Sequence, residues 1–229
     1  MLIILPPSET KAAGGSGSPL DLDALSFPEL RATRRSLLDI LGGLSTAETM
    51  QALGLSERQR DEAESNAHVE DSPTTPAINR YTGVLYDALD APTLPDTSRL
   101  VVCSALFGLV RAADPIPRYR LSAGSKLEGQ TMKRHWGTQL STALDLPELV
   151  VDLRSGAYQQ LGKVRSAVTA RVIDAQTGKV VSHFNKLHKG RLARALAPLD
   201  LESADQVADA AASAGFDVSL AGTTLTVRV

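Results

Sequence analysis

The residues best suited to chemistry lie in one stretch that follows an apolar run. The run Leu100–Cys103 predicts a buried strand, and the next residues read Ser104-Ala-Leu-Phe-Gly-Leu-Val-Arg-Ala-Ala-Asp-Pro-Ile-Pro-Arg-Tyr-Arg-Leu121. Arginine offers a planar fork of donors that matches phosphate and carboxylate oxygens. From Gly108 onward we expect a loop, which Pro115 and Pro117 stiffen because proline fixes φ and lowers the entropy lost on binding. The residues that we expect to contact an anion here are Arg111, Arg118, Tyr119 and Arg120.

A second basic cluster lies further along the chain. Six of the twelve positions from 183 to 194 are Lys, Arg or His, and none is acidic. Residues 187–196 are predicted to be helical, and a helix N-terminus adds free N–H groups and a positive dipole that favour anions. The alternative is an ordinary solvated helix surface. From this cluster, which also holds His183 and His188, we assign to the anion site Lys186, Lys189, Arg191 and Arg194.

A third candidate follows the first apolar run, Leu2–Leu5. The sequence Pro6-Pro-Ser-Glu-Thr-Lys11 comes directly after this predicted strand, and α/β proteins bind ligands in loops at strand ends. Lys11 with the hydroxyls of Ser8 and Thr10 has the groups to hold a phosphate. The spacing is not that of a P-loop, and a surface lysine without a role is the alternative.

The charge is distributed unevenly along the chain. Lys and Arg number 7 against 15 Asp and Glu in residues 1–98, 16 against 6 in residues 99–194, and 1 against 5 in residues 195–229. The net charges of the three segments are therefore −8, +10 and −4. This pattern favours a basic face that attracts polyanions, unless the segments fold onto one another and cancel.

Composition excludes several classes of protein. Hydrophobic residues make up 43% and charged residues 22% of 229 residues, which is typical of a globular chain and not of a disordered one. The lone Cys103 excludes a disulfide framework and fits a reducing compartment. The N-terminal apolar run is too short for a signal peptide or a membrane span. We therefore expect a cytoplasmic protein that does not associate with membranes.

Neither a metal site nor a catalytic group is evident in the sequence. The four histidines have no metal-ligand spacing, so we expect neither metal nor cofactor. Burial of Cys103 argues against a peroxidatic thiol. Catalytic residues remain unassigned, although Asp114, Asp152 and the four tyrosines include possible acids or bases.

The hydrophobic patterns predict a mixture of helices, strands and hairpins. Helices are predicted over residues 28–40, 76–89, 132–144 and 206–214, with capping boxes at Ser45 and Ser56 opening two more. Hairpins are predicted around the turn at residues 174–179, which joins strands 164–173 and 180–184, and around Ala221-Gly222. The pattern indicates an α+β fold, a mixed α/β domain with a mixed sheet and C-terminal β-hairpins. The absence of repeats and linkers favours a single domain, residues 1–229.

Several blocks of the sequence resemble the YaaA peroxide stress protein family. Ser104–Leu121 is similar to the family block Ser-Gly-Leu-Tyr-Gly-Leu-Leu-Arg-Pro…Pro-Tyr-Arg-Leu. The segments Leu2–Lys11, Tyr81–Leu89, Trp136-Gly, Asp152-Leu…Tyr158 and Ser182–Arg194 follow in the family's order. One departure is that Lys11 follows Thr10, whereas the family reads Ser-Pro-x-Lys-Thr, which leaves the equivalence of Lys11 open. The resemblance implies a cantaloupe-like fold and a role in keeping free iron low during peroxide stress.

The resemblance also implies binding of duplex DNA through a helix-hairpin-helix element. The candidate turns are Leu41-Gly-Gly-Leu44 and Leu53-Gly-Leu55, but both lie in the acidic segment, and ordinary glycine C-caps are the preferred interpretation. Aromatic residues make up only 4%, which favours contacts to phosphates over base stacking. The first hypothesis is thus a DNA-binding protein of the peroxide stress response that helps to limit iron-dependent DNA damage.

The rival hypothesis is an enzyme that acts on a small anionic substrate, similar to a nucleotide or nucleoside, in a basic pocket. It requires convergence of Lys11, Arg111, Arg120 and Lys186 on one concave site, with Asp114, Tyr119 or Tyr158 in acid–base roles. DNA binding instead requires a groove or ridge of duplex width. A regulatory interaction module is a third alternative. The sequence leaves open whether the protein is an enzyme, and it does not indicate the oligomeric state.

Overall fold

A seven-stranded mixed sheet forms the centre of the protein, in a computed structural model that describes residues 1–181 and 185–229. The strands of the chain are β1 Leu2–Leu5, β2 Thr75–Pro76, β3 Leu100–Ser104, β4 Gly108–Arg111, β5 Pro115–Ile116, β6 Lys126–Leu127, β7 Gln130–Thr131, β8 Val150–Asp152, β9 Val168–Ile173, β10 Asp217–Ala221 and β11 Thr224–Arg228. The order in the main sheet is β10-β11-β9-β8-β1-β3-β4. Five neighbouring strands are parallel, and the two edge strands, β4 and β10, are antiparallel to their partners.

The middle strand, β1, shows why this region is the core. All four of its residues are buried, because a parallel strand inside a sheet is covered on both faces and therefore reads as a continuous apolar run. β3 is buried along its whole length for the same reason. The two apolar runs that were predicted to be strands are thus confirmed.

Helices cover the sheet. They are α1 Arg31–Gly42, α2 Thr46–Leu53, α3 Arg60–Ala67, α4 Ala77–Arg80, α5 Val84–Leu89, α6 Met132–Trp136, α7 Gln139–Ala143, α8 Gly156–Gln159, α9 Asn185–Leu196 and α10 Ala204–Ser213. The capping boxes at Ser45 and Ser56 are both present. The mixed α/β fold and the C-terminal hairpin of β10 and β11 are confirmed. None of the described helices has the length and apolar character needed to cross a bilayer.

Two predicted helices are wrong, because each is divided in two. The helix predicted over residues 76–89 is α4 and α5, separated by Gly83 at φ +95°; the backbone of Tyr81 there forms a bridge to Lys11. The helix predicted over residues 132–144 is α6 and α7, separated by Gly137 at φ +53°. Positive φ values interrupt a right-handed helix, and glycine adopts them without a Cβ penalty.

Two other predicted elements also differ. Residues 108–111 are not a loop but strand β4. In the turn that joins β3 to β4, the Ser104 hydroxyl oxygen accepts hydrogen bonds from backbone N–H groups. Gly108 in this turn has φ +66°, and a Cβ there would lie 2.7 Å from the Trp136 ring. Of the strand predicted over residues 180–184, the described residues show a bridge between Ile173 and Val180. Its residues 182–184, including His183, lie outside the described residues.

Candidate functional site: a lysine pocket at the carboxyl edge of the sheet

The carboxyl ends of three neighbouring parallel strands bring chemical groups together. β8, β1 and β3 lie side by side, and the chain after β1 carries Lys11, β3 ends at Ser104, and β8 ends at Asp152. In open α/β sheets, this edge is where ligands bind. The topology therefore places Lys11 where the fold is best able to hold a ligand.

Lys11 is enclosed by backbone carbonyls and aromatic rings. Its Nζ donates hydrogen bonds to the carbonyl oxygens of Ser8 at 3.0 Å and Glu9 at 3.3 Å. The same nitrogen lies 4.4 Å from the centroid of the Tyr119 ring. Burial, reinforced by the positive charge of Arg120, lowers the pKa of Lys11 to about 7. The amine is therefore about half neutral at pH 7.

A buried arginine fixes the segment that carries Lys11. The Arg80 side chain is fully buried and donates to the carbonyl oxygens of Ala12 at 2.6 Å and Gly14 at 2.8 Å. It also donates to the Ile116 carbonyl at 3.2 Å, close to the segment with Arg118 and Tyr119. Arg80 thereby ties the loop after β1 to the arginine-rich segment. Its role is to position these two segments relative to each other.

A cavity of about 150 Å³ opens beside Lys11. It is lined by Glu9, Thr10, Lys11, Glu62, Arg118 and Tyr119. No carboxylate among the described residues lies within ion-pair distance of Arg118, whereas Arg120 Nε lies 3.2 Å from Glu62 Oε2. The pocket therefore combines a free guanidinium and an amine with two carboxylates, and it is suited to a ligand that has an anionic group and N–H donors.

A chain of hydroxyl groups lies behind the pocket. Ser104 Oγ accepts hydrogen bonds from the N–H groups of Leu106 at 3.1 Å and Phe107 at 2.9 Å, which occupies both of its lone pairs. Ser104 must therefore donate to Tyr119 Oη at 2.8 Å, and Tyr119 must donate to Tyr81 Oη at 2.8 Å. Burial raises the pKa of both tyrosines, so the chain stays protonated at neutral pH.

A second buried cluster, at the end of β8, has a structural role. Arg154 forms a bidentate ion pair with Asp152, at 2.9 Å and 2.7 Å, and donates to Cys103 Sγ at 3.6 Å. Lys189 Nζ donates to the Arg154 carbonyl oxygen at 3.1 Å. Burial raises the pKa of Cys103, which keeps this thiol protonated. The partners of these charges lie within the protein, so the cluster stabilises the fold.

The structure brings some of the predicted site residues together. Lys11, Arg118 and Tyr119 line the cavity, and Arg120 lies beside it, donating to the Glu9 carbonyl at 3.3 Å. Arg111 does not join them. It is paired with Val101 in the β3–β4 hairpin, three residues or about 10 Å from Ser104 along the strand, and its guanidinium donates to the Ser98 carbonyl.

The residues predicted on α9 have different surroundings. Lys186 and Arg191 are exposed, whereas Lys189 is buried. Arg194 donates to the carbonyl oxygens of Leu89 and Asp90, and so caps the carboxyl end of α5. Arg111 and Lys186 do not line the cavity, so the convergence of these two residues with Lys11 and Arg120, which the enzyme hypothesis required, is not present at this cavity. Arg118 is the guanidinium that the cavity contains instead.

The two glycine turns considered for a helix-hairpin-helix are helix C-caps. Gly43 donates its backbone N–H to the Asp39 carbonyl, and Gly54, at φ +63°, donates to Gln51. Leu55 donates to Met50. These N–H groups have partners inside the protein, so they are not free for a phosphate.

Acid–base candidates from the sequence also have structural partners. Asp114 accepts hydrogen bonds from the Ser26 backbone and hydroxyl and from the Arg111 backbone. Tyr158 Oη accepts from the Ala123 N–H at 3.3 Å. Among the described residues, no three His, Cys, Asp or Glu side chains are grouped closely enough to hold a metal ion.

Comparison with known proteins now identifies the family. The sequence profile described as peroxide stress protein YaaA matches residues 1–220. The chain belongs to the YaaA peroxide stress protein family. A UPF0246 protein of Corynebacterium glutamicum is 55% identical, with 95% of this chain and 94% of the relative covered. A UPF0246 protein of Streptomyces coelicolor is 44% identical, with 86% and 82% covered.

Several residues in or beside the pocket of this YaaA-family chain were not assigned to the site from sequence. Glu62 lies on α3, and Arg80 and Tyr81 lie at the end of α4, all distant from Lys11 along the chain. Only Tyr81 carried a signal, since it begins one of the blocks that resemble YaaA. Glu62 belongs to the acidic segment 1–98, in which the sequence distinguishes no single carboxylate. Contacts between residues so far apart in sequence depend on the tertiary fold.

Proposed function

We propose that this YaaA-family protein binds a small anionic ligand of the nucleotide class in the pocket beside Lys11, and that the pocket performs proton transfer on that ligand. The observation that carries the proposal is the enclosed amine of Lys11 at the carboxyl edge of the sheet, next to Arg118, whose guanidinium has no carboxylate partner among the described residues. A group whose pKa lies near 7 is suited to general acid–base catalysis at neutral pH.

The lining residues have distinct roles in this proposal. Arg118 binds the phosphate or carboxylate as a planar donor fork, and Lys11 gives or takes the proton. Glu9 and Glu62 accept hydrogen bonds from N–H groups of the ligand. A volume of about 150 Å³ is smaller than pockets that enclose drug-sized molecules. The pocket would therefore hold the groups of the ligand that contact these side chains, while the rest of the nucleotide extends outward.

Calorimetric titration with inorganic phosphate, adenosine monophosphate and adenosine tests ligand binding. We expect inorganic phosphate and adenosine monophosphate to bind. Arg118→Ala should lower the affinity for both about tenfold or more, because a charge-assisted hydrogen bond contributes about 1.5–3 kcal/mol. Arg58→Ala is the matched control, since Arg58 is exposed and lies in the acidic N-terminal segment. Absence of phosphate binding to the unchanged protein, or equal binding by both variants, would contradict the proposal.

Duplex DNA is a second candidate ligand, favoured by the exposed cations of α9. Lys186 and Arg191 extend from this helix, and no carboxylate among the described residues lies within ion-pair distance of either. Such groups bind the DNA backbone without regard to sequence by releasing counterions. A DNA-binding role would fit a family that is described as a peroxide stress protein. The proposed benefit is that the bound protein protects DNA from iron-dependent damage.

Affinity measurements at several salt concentrations distinguish DNA binding by α9 from ligand binding in the pocket. If α9 binds DNA, the affinity for a short duplex falls steeply between 50 and 200 mM salt, and Lys186→Ala/Arg191→Ala lowers the slope of log K against log [salt] by about 2. The matched control is again Arg58→Ala, which should leave the slope unchanged. A nearly flat salt response in the unchanged protein would exclude DNA binding of this kind.

A further inference from the structure

We propose that Lys11 is a nucleophile that forms an imine with the aldehyde or ketone group of an anionic substrate. This inference rests on the proposed function, because Arg118 would hold the anionic group of the substrate beside the amine. It goes further by assigning a covalent role to Lys11 and a carbonyl to the substrate.

The hydrogen bonds of Lys11 fit a neutral amine. A neutral lysine has two N–H groups and one lone pair, whereas an ammonium has three N–H groups and no lone pair. Nζ has two acceptors, the carbonyl oxygens of Ser8 and Glu9, and it borders the cavity. Both N–H groups of the neutral amine are thus satisfied, and the lone pair remains available for a carbonyl carbon.

The charges around Lys11 also favour the neutral form. Burial is the largest effect, and the nearby guanidinium groups of Arg120 and Arg118 lower the pKa further, while Glu62 and Glu9 oppose them. The rings of Tyr119 and Tyr81, at 4.4 Å and 5.6 Å from the nitrogen to their centroids, favour the ammonium through cation–π contacts, so the effects of burial and of the two arginines outweigh them. The result is a pKa of about 7. An ordinary lysine, with a pKa near 10.4, is neutral in fewer than about one molecule in a thousand at pH 7.

The proposed step is balanced without a further reactant. The Nζ lone pair attacks the carbonyl carbon, a C–N bond forms, and the electron pair of the C=O π bond moves to oxygen. One proton moves from nitrogen to that oxygen to give a carbinolamine. The hydroxyl then takes a proton from solvent and leaves as water, the remaining N–H proton returns to solvent, and the C=N bond forms. Amine and carbonyl become imine and water, and nothing is oxidised or reduced.

Reductive methylation of the full-length protein with formaldehyde and cyanoborohydride tests the nucleophile without the anion site, since formaldehyde is neutral. Peptide mapping gives the methylation rate of each lysine between pH 6 and pH 10. We expect the rate at Lys11 to reach half of its maximum near pH 7, and to exceed the rate at exposed Lys133 at least tenfold at that pH. Rates that rise in parallel at both lysines, or methylation of Lys133 with none at Lys11, would overturn the proposal.

A second pair of probes, glycolaldehyde phosphate and glycolaldehyde, tests the link to the anion site. We expect glycolaldehyde phosphate to label Lys11 several-fold faster than glycolaldehyde does. Arg118→Ala should abolish this difference in rate between the two probes, and Arg58→Ala should preserve it. Rapid methylation of Lys11 with no effect of the phosphate would contradict the proposed anion site but retain the nucleophile. Slow methylation of Lys11, together with phosphate binding measured by calorimetry, would contradict the nucleophile but retain the anion site. Lys11→Arg, checked for folding by circular dichroism, must remove the label at residue 11.

Discussion

At the scale of single residues, the protein holds several charges that water would stabilise better. Lys11 is the clearest case, since burial disfavours its ammonium form. Arg80 and Arg154 are fully buried as well, but their guanidinium groups bind backbone carbonyls or a carboxylate. Buried charges that are fully hydrogen-bonded position the loops around them, whereas Lys11 is suited to change its protonation state.

The stability of the protein should therefore depend on pH through Lys11. Below pH 7 this lysine is protonated in both the folded and the unfolded state, and the cost of burying the ammonium is complete. Between pH 7 and about pH 10, the unfolded chain binds the proton and the folded protein does not, so the free energy of unfolding rises with pH. Relative to Lys11→Met, the unfolding equilibrium constant should fall by up to about tenfold per pH unit in that range. Urea unfolding of both proteins at pH 6, 8 and 10 measures this, and parallel pH profiles would contradict it.

The Asp152–Arg154 pair predicts a strong effect of removing one charge. Both side chains are almost completely buried, so Asp152→Asn leaves an uncompensated guanidinium and should lower the free energy of unfolding by about 3–5 kcal/mol. Glu57→Gln breaks the exposed pair with Arg60 and should cost less than about 1 kcal/mol. Urea denaturation compares the two. If Asp152→Asn lowered the free energy of unfolding as little as Glu57→Gln does, the Asp152–Arg154 pair would not be structurally important.

At the scale of elements, the close contact of α5 with α9 positions the basic helix. Gly190 lies in α9 where it meets α5, and a Cβ there would overlap the carbonyl oxygen of Leu85 and lie 2.8 Å from the Cβ of Ala88. Arg194 caps the end of α5 from the same helix. The absence of a side chain at residue 190 therefore allows the two helices to approach, and this contact fixes where Lys186 and Arg191 are exposed.

Substitution of this glycine tests the helix contact. Gly190→Ala should destabilise the protein by about 1–3 kcal/mol, because the new methyl meets backbone atoms that cannot move independently. Gly42→Ala is the matched control, since Gly42 ends α1 with no atom within 4 Å of the added Cβ, and it should be neutral or stabilise by about 0.5–1 kcal/mol. Thermal unfolding of both variants measures the difference. Similar melting temperatures would contradict the close approach.

At the scale of the whole molecule, folding divides the basic charge of residues 99–194 into groups with different roles. Lys189 and Arg154 are buried, Arg120 and Arg194 are paired with carboxylates, and Lys186 belongs to the exposed set. Part of the local charge excess is therefore cancelled inside the protein. The remaining cations are the ones available to a phosphate backbone.

The C-terminal hairpin completes the sheet and should be required for the fold. β11 pairs in parallel with β9, and Leu225 and Val227 are buried in the core. Deletion of residues 217–229 would leave the edge of β9 uncovered and its apolar face exposed, which favours aggregation. Size-exclusion chromatography with light scattering should show oligomers or loss of soluble protein. As a control, Thr226→Ala changes the same strand at a half-buried position, and this variant should elute like the unchanged protein. A monomeric deletion variant of normal stability would contradict the prediction.

The sequence by itself determined the features that depend on neighbouring residues. The continuous apolar runs of β1 and β3, the capping boxes at Ser45 and Ser56, and the hairpin around Gly222 are local patterns, and the structure has each of them. Several different blocks in a fixed order were sufficient to indicate the YaaA family. Local periodicity failed where a glycine at positive φ divided a predicted helix, because the hydrophobic spacing continues across the break.

Only the tertiary structure decided which charged residues share a site. Lys11 follows the parallel strand β1, Glu62 lies on α3, and Arg118 follows β5, so these distant parts of the chain line one cavity only once the protein is folded. Arg111 lies only seven residues from Arg118, yet the β3–β4 hairpin turns it away from the pocket. The charge state of Lys11 likewise depends on burial, which is a property of the packed molecule. Residue types thus predicted an anion site, and the fold decided which of these residues line one cavity.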